Sequence, residues 1–578
     1  MIRIRVGVML CGMVALGLLA GCKKKQAPVD DPTPSSGASA SGATRADGAP
    51  PLELIISYGS EKKTWMEDEL ARWNAAAPRL ASGRTVRAIG KPMGSGEGVT
   101  AILEGTGKDL PHVFSPASGA YLALLNEAWQ SRPGNLKPVA QPGEPLVLSP
   151  LVIAIWKPMA EALGWPEKNL GWSDLLKVAR DPKGWESLGR AEWGEFKLGH
   201  TSPEFSTSGL LSVLAIAAAA QPSADGPAPR LTEATLADPK VKKFLGEVED
   251  SVVHYGKSTG FFADKMLERG PAYLSAAVLY ENLVIESYGR ATKPDLPLVA
   301  MYPTEGTFWA DHPYAILDAP WVTAEHKEAA ALLQKALRQR PQQERAVALG
   351  FRSADPSLPI AAPIDAAHGV DPKQPQNLLE VPDAPVLRAL IELWRTSKKA
   401  SDVILVFDKS GSMRGQALAE AKQGAKAFLA SLDPRDRVTL LFFDGRVYPP
   451  VGPLEVGKSR AELESRIEGV TAEGGTALYD AVDQGVDLMK KTARSSSHRI
   501  RAVVAMTDGR DENSDLPLDR LRQRLSGEEL GVAVFTVAYG DKADDAILTS
   551  IADAAHGGFA RGDVSSIISV FRDLAAYF

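Results

Sequence analysis

Asp402-Val403-Ile404-Leu405-Val406-Phe407-Asp408-Lys409-Ser410-Gly411-Ser412 decides how the C-terminal part of the chain folds. Five apolar residues, Val403 to Phe407, follow one another without alternation, the mark of a strand covered on both faces, as in a parallel sheet. The pattern after it, Leu418, Ala421, Ala425, Phe428 and Leu432, repeats at spacings of three and four and predicts a helix. Further strands are predicted at Val438–Phe443, Ile500–Met506 and Val532–Ala538, with helical patterns between them. Strand and helix in alternation, joined by right-handed crossovers, give a doubly wound α/β sheet, whose ligands sit beyond the carboxyl ends of the strands.

Three polar motifs fall at those carboxyl ends. Asp408-Lys409-Ser410-Gly411-Ser412 follows the first strand, Gly474-Gly475-Thr476-Ala477-Leu478 opens a helix reaching about Lys490, and Thr507-Asp508-Gly509 closes the strand at Ile500–Met506. Asp408, Ser410, Ser412, Thr476 and Asp508 all offer hard oxygen, and none offers sulfur or imidazole. That donor set suits Mg²⁺, Mn²⁺ or Ca²⁺ rather than zinc or copper. Two carboxylates only balance a divalent charge, which leaves the ion electrophilic toward a further anionic oxygen.

These residues resemble the metal-ion-dependent adhesion site (MIDAS) of von Willebrand factor A (VWA) domains, and the resemblance covers about residues 400–578. It implies direct binding by Ser410 and Ser412, direct or water-mediated binding by Thr476, and action largely through waters for Asp408 and Asp508. It further implies a protein partner whose Asp or Glu completes the shell, hence binding and not catalysis. No histidine lies within the motifs to serve as a base, so the chain is read as no enzyme.

Ahead of this part, strand and helix patterns alternate from Leu52 to about residue 395. Leu52–Tyr58 reads as a strand, followed by a helix carrying Trp65, Leu70 and Trp73. Glycines and hydroxyls then cluster at Gly94-Ser95-Gly96-Glu97-Gly98, Val113–Ser118 and Thr201–Gly209. Val147–Trp156 is a candidate for crossing between two lobes, and Tyr302–Trp309 for part of the return. In order and character, residues 51–395 resemble the two-lobed extracellular solute-binding proteins of bacterial transport systems, which hold a ligand between their lobes. Hydroxyls beside glycines at strand-to-helix junctions sit near free backbone N–H groups, where helix N-termini favour anions. Ser57, Ser60, Ser95, Gly96, Ser115, Ser118, Thr201, Ser202 and Ser206 are therefore candidates for a polar or oxyanionic solute, each with an ordinary capping or turn role as the alternative. Tyr280 and Glu281, after an apolar run read as helical (Ala272–Leu279), are weaker candidates.

The extreme N-terminus carries Arg3 and Arg5, an apolar run from Val6 to Leu19 too short to span a bilayer, and Leu19-Ala20-Gly21-Cys22. This resembles the lipobox of bacterial lipoproteins. It implies a signal peptide over residues 1–22, cleavage before Cys22, and acyl chains on Cys22 that anchor the protein stably to a membrane. Lys23 at the next position favours the outer membrane or cell surface. Residues 23–50, rich in Pro, Ser, Gly and Ala, read as a disordered tether. Both cysteines, Cys11 and Cys22, lie before it, so the body holds no disulfide. A net charge of −6 supplies no basic field for phosphate backbones, so nucleic acid is not a partner.

Two further motifs fail on context. Gly452–Ser459 has the spacing of a phosphate loop, but Pro449-Pro450 excludes the central strand such a loop requires. Arg561-Gly562-Asp563 is a three-residue match of the kind chance provides, and Asp563 is read as the cap of a final helix, Ser565–Ala576. Asp511–Asp515 reads as an acidic loop rimming the metal face. The resulting expectation is a membrane-anchored, non-catalytic binding protein; the alternative is a transport receptor whose A-type domain is a docking module.

Overall fold

The structure is a computed structural model that describes residues 50–141, 143–221, 230–290, 296–493, 499–526, 532–539, 543–562, 570 and 574. The leader, Cys22, most of the tether, Asp563 and all of the expected last helix but residues 570 and 574 lie outside the described residues. In chain order the strands are β1 (Leu52–Gly59), β2 (Val86–Met93), β3 (Val113–Ser115), β4 (Val147–Trp156), β5 (Leu198–Thr201) and β6 (Val252–Gly256). There follow β7 (Ala276–Tyr280), β8 (Leu298–Met301), β9 (Trp309–Ala310), β10 (Ala315–Ile316) and β11 (Arg352–Ser353). The C-terminal domain has β12 (Ser401–Asp408), β13 (Arg437–Phe443), β14 (Val451–Glu455), β15 (Ile500–Thr507), β16 (Ala533–Tyr539) and β17 (Phe559–Gly562).

The first lobe is built on the order β10-β3-β1-β2, with β1 parallel to both β2 and β3. The second is built on β11-β4-β7-β5-β6, where β5 runs parallel to β6 and β7. β4 makes the crossing that its length suggests. Its first residue, Val147, packs in the core of the first lobe, while Leu151 to Trp156 pack in that of the second. The chain returns through β9, paired with β4, and β10, paired with β3. The helix Thr207–Ala219 is buried along its whole length, which suits its run of small and aliphatic residues.

One expectation is corrected here. Ala272–Leu279 is not helical: β7 occupies Ala276–Tyr280, every residue buried, and a helix starts only at Glu281. A short, unbroken apolar run carries no period, so pattern alone does not separate a buried strand from a buried helix. Glu281 is likewise no cleft residue; it is buried in a bidentate pair with Arg352 (2.8 Å for both bonds).

In the C-terminal domain the sheet order is β14-β13-β12-β15-β16-β17. All neighbours are parallel except β13 with β14. The five-residue apolar run behaves as its lack of alternation demands. Val403, Leu405 and Phe407 join one core with the helices Gln416–Ser431 and Val456–Glu468. Ile404 and Val406 join another on the opposite face, with Leu478–Ala493, Leu518–Leu525 and Asp545–Ala554. The phosphate-loop spacing is spent on other structure: Val451–Glu455 is the antiparallel edge strand β14, where proline is tolerated, and Gly457, Lys458 and Ser459 are already helical.

Candidate metal-binding edge and interlobe seam

Strand order reverses at β12, so the carboxyl ends of β12 and β15 open a crevice between them. All five oxygen-bearing candidates gather there. The Asp408 Oδ1 accepts from the backbone N–H of Ser410 (2.7 Å), which turns the chain sharply after the strand. The Thr507 hydroxyl donates to Asp408 Oδ2 (2.6 Å), tying β15 to β12. Ser410 and Ser412 hydroxyls stand 2.9 Å apart, and Ser412 donates to Asp508 Oδ1 (2.6 Å). Thr476 arrives from the preceding loop: a Cβ placed on Gly509 would lie 3.4 Å from the Ser412 hydroxyl and 3.5 Å from that of Thr476, so both flank one glycine. Asp408 is fully buried, and burial pushes its carboxyl up to about 6, with neighbouring Asp508 adding to the effect. Ser412 faces solvent. Two carboxylates and three hydroxyls, with one exposed, form an oxygen-only set whose chemistry fits a hard divalent cation.

Three groups that the motifs do not reveal hold this set in place. Asn513 Oδ1 accepts from the Thr476 N–H (3.0 Å), while the N–H groups of Glu512 and Asn513 donate to the Thr476 carbonyl (2.8 and 3.0 Å). The acidic loop therefore braces Thr476 in addition to rimming the face. Lys409, the variable position of Asp-x-Ser, turns aside to Asp444 (2.5 Å) and Glu473 (3.1 Å) and lies over the Tyr448 ring. An oxygen acceptor three to five residues after the aspartate of Thr-Asp-Gly was the available signal for Asn513; nothing in the sequence pointed to Asp444.

The solute candidates sit along the seam between the lobes, where the carboxyl ends of β1, β2 and β3 meet those of β5, β6 and β7. Here the lobes touch directly. Gly96 N–H donates to the Phe205 carbonyl (2.9 Å), and a Cβ on Gly96 would come within 1.9 Å of the Glu204 carbonyl oxygen, so only glycine fits. Thr207 donates to Ser95 (2.8 Å), the Gly260 N–H donates to Ser60 (2.9 Å), and Tyr121 donates to the Pro203 carbonyl (2.6 Å). Thr201 bonds to Ser208 (2.7 Å), and Ser206 bonds to Thr259 (3.1 Å). The hydroxyls of Ser118 and Ser202 bond locally: Ser118 caps the helix Gly119–Gln130 and Ser202 accepts from the Glu204 N–H. Ser57, Ser115 and Ser258 are buried with hydroxyls that have no partner.

Sequence reasoning missed the charged centre of the seam. Lys62, wholly buried, donates to Glu61 (3.2 Å), to the carbonyls of Ser115 (3.1 Å) and Pro116 (3.3 Å), and to His312 Nδ1 (3.1 Å). Burial and the adjacent ammonium keep His312 below its usual range. Burial alone would raise the Glu61 carboxyl, but the Lys62 charge, the hydrogen bond and charge of His312 and a backbone hydrogen bond together outweigh it and Glu61 falls to about 2.

Two lobes closing on a polar seam, followed by a doubly wound sheet with an oxygen-lined crevice, define a binding protein of two modules. Residues 54–352 match the family model of bacterial extracellular solute-binding proteins, and the chain belongs to that family. Residues 402–570 match the model of the von Willebrand factor type A domain. An uncharacterized protein of Synechocystis sp. is 31% identical over 175 residues, which cover 30% of this chain and 40% of that protein. An uncharacterized protein of Mycobacterium tuberculosis is 22% identical over 492 residues, 80% of this chain and 67% of that protein. Among solved structures, a periplasmic thiamin binding protein aligns over 61% of this chain and 97% of its own, with 13% identity and a TM-score of 0.42. Both modules are binding modules, and a solute-binding domain of this family fits the cell envelope. No helix among the described residues is long and apolar enough to cross a membrane.

Proposed function

We propose that this chain is a lipid-anchored envelope binding protein whose A-type domain holds one divalent cation, Mg²⁺ or else Mn²⁺ or Ca²⁺, through a complete MIDAS. Ser410, Ser412 and Thr476 would supply hydroxyl oxygens, with Asp408 and Asp508 carrying the balancing charge. The observation that carries this reading is the convergence of those five side chains, drawn from three separate loops, on one crevice. The exposed Ser412 leaves one side of the set open to solvent, where an acidic side chain of a protein partner would complete the shell. When bound, the cation supplies an electrophilic point for that carboxylate. The seam is the place for a small polar or anionic solute, or a partner's peptide, because buried hydroxyls without partners there retain bonding capacity. Cys22 would carry the acyl anchor, in the outer membrane or at the cell surface.

The test is thermal unfolding of residues 51–578 with and without Mg²⁺, Mn²⁺ or Ca²⁺. A true ligand stabilises by RT ln(1 + [L]/Kd), about 2.7 kcal/mol at a hundredfold excess over Kd. Unfolding that ignores all three cations overturns the reading. The transport-receptor alternative, with the A-type domain as docking module, is favoured only by the family of the N-terminal region. Tight uptake of inorganic phosphate or another small anion by the full chain would support it.

A further inference from the structure

A cavity of about 590 Å³ lies at the amino edge of the first lobe's sheet, the edge opposite the seam. β1 begins there at Leu52, β2 carries Arg87 as its second residue, and β3 follows directly on His112. Pro50, Pro51 and Ile55 give the cavity apolar walls. Its polar lining comes from β1, β2, the loop before β3 and the start of the helix Ala324–Leu337.

His112 and His326 stack in this lining, with ring centroids 3.8 Å apart and planes 18° from parallel. The backbone N–H of Ile55 donates to His112 Nδ1 (3.0 Å), and that of Thr323 donates to His326 Nδ1 (3.2 Å). An amide N–H can only donate. Each Nδ1 is therefore an acceptor, each ring is neutral, and each carries its proton on Nε2. Burial agrees: it holds His112 down at about 4, with His326 adding to the effect, and it lowers His326, with Arg84 adding to that. Neither Nε2–H has an acceptor among the described residues. The stacked pair thus leaves two neutral donors on the cavity wall.

The charges around it are unequal. Arg84 is already engaged, donating to Glu325 (2.9 Å) and to the Pro50 carbonyl (3.0 Å). Arg87 and Lys108 are exposed and have no acidic partner among the described residues. Glu53, which stands beside Arg87 in the β1–β2 register, is the carboxylate of the lining that Arg84 does not neutralise. A guanidinium, an ammonium and two imidazole N–H groups therefore face one competing carboxylate. Donors that arrive from three separate elements suit a tetrahedral group with at least three acceptor oxygens, and arginine in particular favours phosphate. The volume lies in the range of sites for small organic ligands, so such a group need not come alone.

We propose that this cavity binds a small phosphorylated molecule. Arg87, Lys108 and the Nε2–H groups of His112 and His326 take its phosphoryl oxygens, and its organic part lies against Pro50, Pro51 and Ile55. The site is separate from the seam and the metal edge and rests on neither reading.

The test is calorimetric titration of the full chain with inorganic phosphate, without divalent cations so that the metal edge takes no part. One site is expected, and glycerol 3-phosphate should compete for it. Arg87→Gln and Lys108→Gln, both at exposed positions, should each weaken binding by about tenfold or more, the factor for one hydrogen bond to a charged group. Glu53→Gln, which removes the competing carboxylate, should tighten it. The double variant Ser57→Ala, Ser115→Ala, at the seam, should leave it unchanged. Absence of phosphate binding, or failure of glycerol 3-phosphate to compete, overturns the proposal. So does binding that survives Arg87→Gln and Lys108→Gln but falls in the seam variant, a result that assigns the anion to the seam and leaves the seam reading standing.

Discussion

The interlobe seam and the metal-binding edge use the same chemistry, hydroxyls and carboxylates at the carboxyl ends of parallel strands, and arrive at opposite states. At the seam Ser60 and Ser95 bond across the lobes, Thr201 and Ser206 bond to Ser208 and Thr259 of the second lobe, and the central carboxylate, Glu61, already has its cation in Lys62. At the metal edge Asp408 accepts from the Ser410 N–H and the Thr507 hydroxyl, Asp508 accepts from Ser412, and Ser412 itself faces solvent. The one basic residue inside the motif, Lys409, is drawn off to Asp444 and Glu473. Oxygen-rich loops alone thus do not mark a ligand site, since at the seam's centre the fold supplies its own positive charge, Lys62.

The sharpest way to break this comparison is to remove the seam's internal cation. Lys62→Met leaves Glu61 buried with His312, 3.3 Å away, as its remaining side-chain partner, and stripping one partner from a buried pair costs about 3–5 kcal/mol. Chemical denaturation should show that loss at neutral pH. The pH dependence has a fixed sign. Glu61 is held at about 2 in the folded chain against an ordinary 4.5, so its contribution is present above pH 4.5 and is lost as pH falls from there toward 2. In Lys62→Met that part of the acid dependence should flatten. A variant as stable as wild type, with an unchanged acid limb, would show that Glu61 does not depend on the Lys62 charge.

At the metal edge the corresponding change is Asp408→Ala. It should abolish the cation-dependent rise in unfolding temperature, about 2.7 kcal/mol at a hundredfold excess over Kd, while the metal-free fold loses only the acceptor for Ser410 N–H and the Thr507 hydroxyl. Retention of the Mg²⁺ or Mn²⁺ response would assign the cation to other residues.

How much of this was legible in the sequence follows from range. Val403 to Phe407 declared a two-faced strand because burial on both sides leaves no polar alternation, and the three oxygen motifs declared themselves because each is contiguous. The edge strands β14 and β17 were not legible: Val451–Glu455 is half exposed and proline-bearing, and Phe559–Gly562 is four residues long. The seam's centre was hidden for a different reason. Glu61 and Lys62 sit in a polar stretch after the first strand and read as solvent-facing; only the meeting of β3, the returning segment at His312 and the second lobe buries them. Asn513 escaped because its partner, Thr476, is in another loop.

The closeness of the lobes is tested by Gly96→Ala. The added Cβ meets backbone, not a flexible side chain, 1.9 Å from the Glu204 oxygen, so the lobes must separate locally. Overpacking of this kind costs about 1–3 kcal/mol. Scattering should report a larger radius, and the cation response of the A-type domain should not change, because its ties to the second lobe lie at the other edge of that sheet. An unaltered radius would mean that the seam yields without opening.

The smallest effect is expected at Asn513, and it sharpens the comparison most. Asn513→Ala takes the acceptor from the Thr476 N–H, a bond worth about 1 kcal/mol to the fold. It leaves untouched every oxygen proposed to face the cation. If the metal edge is an open set held in readiness by its surroundings, losing this brace should weaken Mn²⁺ binding by about tenfold, as removal of supporting groups around metal sites commonly does. Asn513→Asp, which keeps an acceptor at the same position, should restore most of the affinity. A site like the seam's centre, whose cation is the side chain Lys62, would not depend on such a brace. Loss of stability with no change in Mn²⁺ affinity would therefore place Thr476 among the structural residues of the loop and narrow the cation's shell to the Asp408 loop and Asp508.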